Sequence, residues 1–97
     1  MAEPTLAHFI RGAAAEGCSG RFGEVYDPAT GGVTARVPLA SRDEVGAAVS
    51  AAAAAFPAWA ATTPLNRARV MFRFKALLES HADEIAAAIT AEHGKVL

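Results

Sequence analysis

The sequence predicts an α+β chain in which a β-hairpin is followed by three α-helices. Val33, Ala35, Val37 and Leu39 alternate with Thr34, Arg36 and Pro38, the period of two of a strand with one buried face. Ser41-Arg42-Asp43-Glu44 has the form of a capping box, in which serine and glutamate each satisfy an amide at the start of a helix. Beyond it, apolar residues recur at helical spacing, interrupted by Pro57 and resumed after Thr63-Pro64.

Taken in order, Phe9-Ile10 and Phe22 to Tyr26 read as short strands on either side of the Gly17-Cys18-Ser19-Gly20 loop. Asp27-Pro28-Ala29-Thr30-Gly31-Gly32 then supplies a turn: proline presets φ, aspartate bonds nearby backbone, and glycine admits positive φ. The alternating strand follows, with Pro38 marking an edge or an end. The first helix places Val45, Ala48, Val49, Ala52 and Phe56 on one stripe and is expected to stop at Pro57. Trp59 then falls between helices, as an apolar plug at the corner.

The second helix starts with Thr63 as N-cap and Pro64 in its first position and runs to about Glu79. Leu65, Val70, Met71, Phe72, Phe74, Leu77 and Leu78 cover more than one stripe, so this helix is expected to be buried on more than one side. The third runs from Ser80 or His81 to His93, with Ala82, Ile85 and Ile89 inward and Gly94 as C-cap.

Composition narrows the function. Ninety-seven residues make one small domain at most, and although 53% are hydrophobic, 25 of those are alanine. Alanine contributes little burial energy, and the hairpin and two alanine-rich helices are too few to cover both Phe72 and Phe74. A net charge of −1 gives no basic footprint for nucleic acid. The uncharged run from Val45 to Asn66 is long enough to cross a bilayer, but Ser50, Pro57, Thr62, Thr63 and Pro64 interrupt it and alanine inserts poorly, so no membrane role is expected. The N-terminus has an acidic Glu3 and no apolar segment of a secretory signal, and the location expected is cytoplasmic.

No residue type here forms a pattern that carries chemistry. Cys18 is the only cysteine and has no local partner to activate it. His8, His81 and His93 lack metal-ligand spacing and read as solvated or helix-end histidines. Gly94-Lys95 fails as a phosphate loop, since Ile89 and Val96 stand where glycine and a hydroxyl residue are needed. Arg67, Arg69, Arg73 and Lys75 read as a solvated or ion-paired surface, and Asp43-Glu44 and Asp83-Glu84 as first-turn acids answering the helix dipole. Catalytic, cofactor-binding and metal-binding residues are therefore all expected to be none.

Longer strings point further. HFIRG from His8, VYDPATGGV from Val25, RVPLA from Arg36, AFPAW from Ala55 and EHGK from Glu92 resemble, in order and spacing, the N-terminus of aldehyde dehydrogenases. The segment from Phe56 to Glu79 looks most like the NAD-dependent, CoA-acylating methylmalonate-semialdehyde dehydrogenases. Departures are Asp27 for the common Asn, Gly32 for Glu, Val96 for Thr or Pro, and no aromatic after Gly12. The resemblance implies part of an α/β dinucleotide-binding domain, with residues 1–8 a flexible lead and 9–97 an incomplete N-terminal segment. It also implies oxidation of a semialdehyde to an acyl-CoA with NAD and coenzyme A, in a protein that is a homo-oligomer at full length. The family's nucleophilic cysteine and cofactor segment match positions beyond Leu97, so this chain is expected to be scaffold and inactive alone. Two other readings stay open: a non-catalytic module that docks on a full-length subunit, and a remnant without function.

Overall fold

Two turns that require positive φ organise the strands. Arg11 and Gly12, at φ 56° and 75°, close a two-residue hairpin between β1 (His8–Ile10) and β2 (Ala13–Ala15), with Ile10 opposite Ala13. The second hairpin joins β3 (Phe22–Tyr26) to β4 (Val33–Pro38). In its turn the Asp27 side chain accepts from the Ala29 amide at 2.8 Å, and Gly31, at φ 76°, donates to the Asp27 carbonyl at 2.7 Å. The computed structural model describes residues 3–97, and among these the two hairpins are separate antiparallel pairs.

The predicted hairpin is therefore present, and β2 is an addition to it. Three alanines carry neither alternation nor β-branching, so nothing in residues 13–15 marks a strand; the positive-φ turn creates it. In β3 and β4 the alternation holds, with Val25, Val33, Ala35 and Val37 on the covered face. A bulge at Val25/Tyr26 leaves Thr34 unpaired, and its hydroxyl donates to the Val25 carbonyl at 3.2 Å. On the outer face the Arg36 guanidinium lies 4.2 Å over the Phe22 ring. Of the lead expected to be flexible, residues 1–2 lie outside the described residues. Residues 4–6 pair with β4, where Leu6 donates to the Arg36 carbonyl and Arg36 to that of Pro4, and His8 already belongs to β1.

α1 (Arg42–Ala61) starts at the predicted capping box but does not stop at Pro57. Proline costs one intrahelical hydrogen bond and roughly 3 kcal/mol in a helix interior, yet the alanines on both sides are the best helix formers and carry the helix through. Trp59 consequently sits inside α1, half-exposed, and not in a corner between helices. Of the predicted stripe Ala48 is half-buried while Val45, Val49, Ala52 and Phe56 are exposed, and the buried residue of α1, Ala51, lies outside it. By length and composition α1 could cross a membrane, but ten of its twenty residues are alanine.

α2 (Pro64–Ser80) has the predicted start, with the Thr63 hydroxyl accepting from the Asn66 amide at 3.3 Å. α3 (Ala82–His93) ends on Gly94 at φ 81°, whose amide donates to Thr90. The chain divides into two units at Ala55/Phe56. In the unit from Phe56 onward no residue is buried, so the expectation that α2 is covered on more than one side is not met within this chain. Phe72 is 70% and Phe74 51% exposed, and Ile85 and Ile89 of α3 are likewise uncovered. The buried residues are small: Ala35, Pro38 and Ala51.

Two outcomes follow from this packing. The isolated chain should give a helical far-UV circular dichroism spectrum, bind ANS and unfold over a broad urea range; a sharp two-state transition without ANS binding would contradict it. Arg11→Asn should stabilise the β1–β2 turn by on the order of 1 kcal/mol, because asparagine tolerates left-handed φ better than arginine, and should slow amide exchange at Ala13.

Candidate functional site

The most developed polar cluster among the described residues surrounds Glu44. Its position follows from local chemistry: Ser41 caps α1, its hydroxyl accepting from the Glu44 amide at 3.2 Å, and Glu44 Oε1 accepts from the Ser41 amide at 3.0 Å. The other oxygen, Oε2, lies 3.0 Å from His8 Nε2 and accepts from the Cys18 amide at 3.2 Å. Residues 36 and 26 positions earlier in the chain thus meet one carboxylate. Gly17 permits the approach, since a Cβ there would come within 2.5 Å of Pro38 Cβ and 3.5 Å of His8 Nε2.

This convergence corrects one expectation. His8 was assigned a solvated role; it is half-buried, with 21% of its side chain exposed against 14% for Glu44. The only sequence signal for the meeting is that a capping-box glutamate uses one oxygen and leaves the other free. The Ser41 amide chiefly holds the Glu44 carboxyl down to about 2; burial opposes it, and the Cys18 amide, the Ser41 hydroxyl and His8 add smaller downward pulls.

The other candidates stay apart. Cys18 is exposed, and its thiol contacts the Glu16 carbonyl at 3.8 Å, which is no base for activating a nucleophile. His81 lies between α2 and α3, its Nδ1 2.9 Å from Glu84 Oε2, and His93 ends α3. Lys75 pairs with Glu79 at 2.6 Å and Arg69 donates to the Asn66 side chain at 3.3 Å, as an exposed basic surface would. On the outer strand face the Tyr26 hydroxyl donates to Glu24 at 2.6 Å, and that bond and the Glu24 charge push the phenol upward. No group of three or more metal-ligating side chains occurs among the described residues.

A dinucleotide phosphate needs free amides at a helix N-terminus and a glycine-rich approach. None of the three helix starts fits. That of α1 is closed by its capping box, α2 begins with Pro64, which has no amide proton, and α3 carries Asp83 and Glu84 in its first turn. Within the second unit, Phe74, Leu77, Leu78, Ile85 and Ala88 line an open apolar groove of about 380 Å³, with His81 and Glu84 at its edge.

The chain belongs to the aldehyde dehydrogenase family, which it matches over residues 15–97. At the level of individual proteins it is 48% identical, over 95% of its length, to malonate-semialdehyde dehydrogenase 3 of Geobacillus kaustophilus, and covers 19% of that protein. The human mitochondrial acylating methylmalonate-semialdehyde/malonate-semialdehyde dehydrogenase is 42% identical over 97% of the chain and 18% of its own length. Among solved structures, the methylmalonate-semialdehyde dehydrogenase of Oceanimonas doudoroffii matches with a TM-score of 0.86 and 50% identity over 93% of the chain and 18% of the enzyme. A Sinorhizobium meliloti protein assigned to the same activity and solved with NAD matches at TM-score 0.89 and 44% identity, over 95% and 19%. The chain therefore spans about a fifth of the length of these relatives, and its α+β architecture is part of an aldehyde dehydrogenase fold.

The Glu44 cluster sets an acid limit. The folded carboxyl ionises about 2, below its ordinary 4.5, so its contribution to stability is present above about pH 4.5 and is lost as pH falls toward 2. Circular dichroism followed from pH 6 to pH 2 should show less acid loss of structure in Glu44→Gln than in the parent chain, from a lower starting value. Parallel acid profiles would refute the assignment.

Proposed function

We propose that this chain is the N-terminal scaffold of an NAD-dependent, CoA-acylating malonate- or methylmalonate-semialdehyde dehydrogenase, with the catalytic thiol and both cofactor sites supplied by polypeptide outside it. The observation that carries the reading is the match to semialdehyde dehydrogenases over nearly the whole chain, in fold as well as sequence. The chemistry of the residues agrees, because the exposed Cys18 has no base, the starts of α1 and α2 are capped, and the acidic first turn of α3 opposes a phosphate. In such an enzyme NAD serves as the hydride acceptor.

What this chain would contribute is position. Glu44 ties β1 and the Cys18 loop to the start of α1, and α2 offers the uncovered Phe74, Leu77 and Leu78 to whatever packs beside it. A cytoplasmic location and a homo-oligomeric full-length enzyme belong to the same proposal.

The test joins residues 1–97 to the non-matching remainder of the Geobacillus kaustophilus relative. The chimera should reduce NAD with malonate semialdehyde and coenzyme A, whereas the 97-residue chain alone should show neither turnover nor saturable NADH fluorescence. A folded chimera with no NAD reduction would overturn the reading. Within an active chimera, Cys18→Ser should leave kcat unchanged. Phe74→Ala should lower stability by roughly 3–5 kcal/mol, the cost of a deleted buried ring, with KM unaltered. Loss of turnover in Cys18→Ser at unchanged stability would make that thiol catalytic after all.

A further inference from the structure

The hairpin formed by β1 and β2 has three residues per strand, too few to be stable by itself in water. Its outer residue Phe9 is 78% exposed and β2 is alanine throughout, so burial holds it weakly. Its polar attachments to α1 converge on a single side chain. His8, the first residue of β1, and Cys18, three residues past β2, both meet Glu44 Oε2, while Oε1 takes the Ser41 amide at the helix start.

We propose that Glu44 is a two-ended latch that makes seating of the β1–β2 hairpin and capping of α1 a single event. The chemistry specifies a carboxylate. The Ser41 amide, the Cys18 amide and the His8 ring nitrogen surround it, and both backbone groups can only donate. An ionised carboxylate accepts at both oxygens, whereas an amide side chain accepts at one end and donates at the other. A glutamine at 44 can keep the cap or the hairpin, but its amino group then faces a donor at the opposite end. The other titratable groups nearby do not compete: the Cys18 thiol turns to the Glu16 carbonyl, and the first-turn neighbour Asp43 is exposed.

Hydrogen exchange of the 97-residue chain, resolved residue by residue by NMR, tests the latch. Glu44→Gln should speed exchange at the amides of Cys18 and of residues 8–15 by tenfold or more, while the β3–β4 amides of Val25 and Ala35 change less than twofold. Equal acceleration in both hairpins would show general loosening and overturn the latch, as would no acceleration at Cys18. If Glu44→Gln does not fold, the parent chain still decides. Its Phe9 and Ala14 amide shifts, which do not touch the carboxylate, should follow those of Cys18 and Ser41 with one midpoint as pH falls from 6 to 1, and hairpin shifts that stay flat or titrate separately would refute the coupling.

Discussion

Small residues are the ones this chain buries, and that constraint shapes everything else in it. Ala35, Pro38 and Ala51 are covered, while every phenylalanine, the tryptophan and the leucines of α2 remain open. Alanine supplies little apolar area, so packing alone does not fix the backbone. Short-range hydrogen bonds do that work in its place: the Asp27 side chain on Ala29, Thr34 on the bulged Val25, Thr63 on Asn66, and the capping box on α1. Each joins residues a few positions apart, or across one ladder. They shape elements without needing a core.

Such bonds cannot by themselves bring distant segments together. Three contacts do so in the first unit: the pairing of residues 4–6 with β4, the anchoring of Ser19 and Arg21 on the carbonyls of Leu39 and Ala40, and the Glu44 cluster. All are polar, and all leave the apolar face of α1 at Val45, Val49 and Phe56 uncovered. A unit held in this way has a local geometry fixed by polar contacts more than by apolar burial.

The same division decides what the sequence could reveal. Features written by neighbouring residues were legible: the Asp27-to-Gly32 turn, the Ser41 box, the Thr63-Pro64 start and the Gly94 cap. The family resemblance was legible too, because it rests on strings such as Ala55-Phe56-Pro57-Ala58-Trp59. What escaped was set by non-local contacts. Helical periodicity marks the bulky stripe of α1 as inward, but the buried residue of α1 is Ala51, on the alanine face that lines an open cavity with the hairpin residues Phe9 to Gly12. β2 has no strand signature of its own, and Pro57 is overruled by ten alanines. His8 and Cys18 meet Glu44 across dozens of residues, which no spacing in the sequence records.

The helix starts bear on what this segment can bind. A helix N-terminus is the place where a fold most easily acquires an anion, through its free amides and dipole. Here α1 is answered by Glu44 and Ser41 and α2 by Thr63 and Pro64, while α3 has no side-chain cap and sets the acidic Asp83 and Glu84 in its first turn. Internal caps make a helix stable before anything binds, and they remove it as a ligand site. A segment with two side-chain-capped helices, an acidic start to the third and most of its large apolar side chains open has most of its polar needs met and its apolar needs unmet. Unmet apolar needs of this kind are satisfied by apolar protein surface.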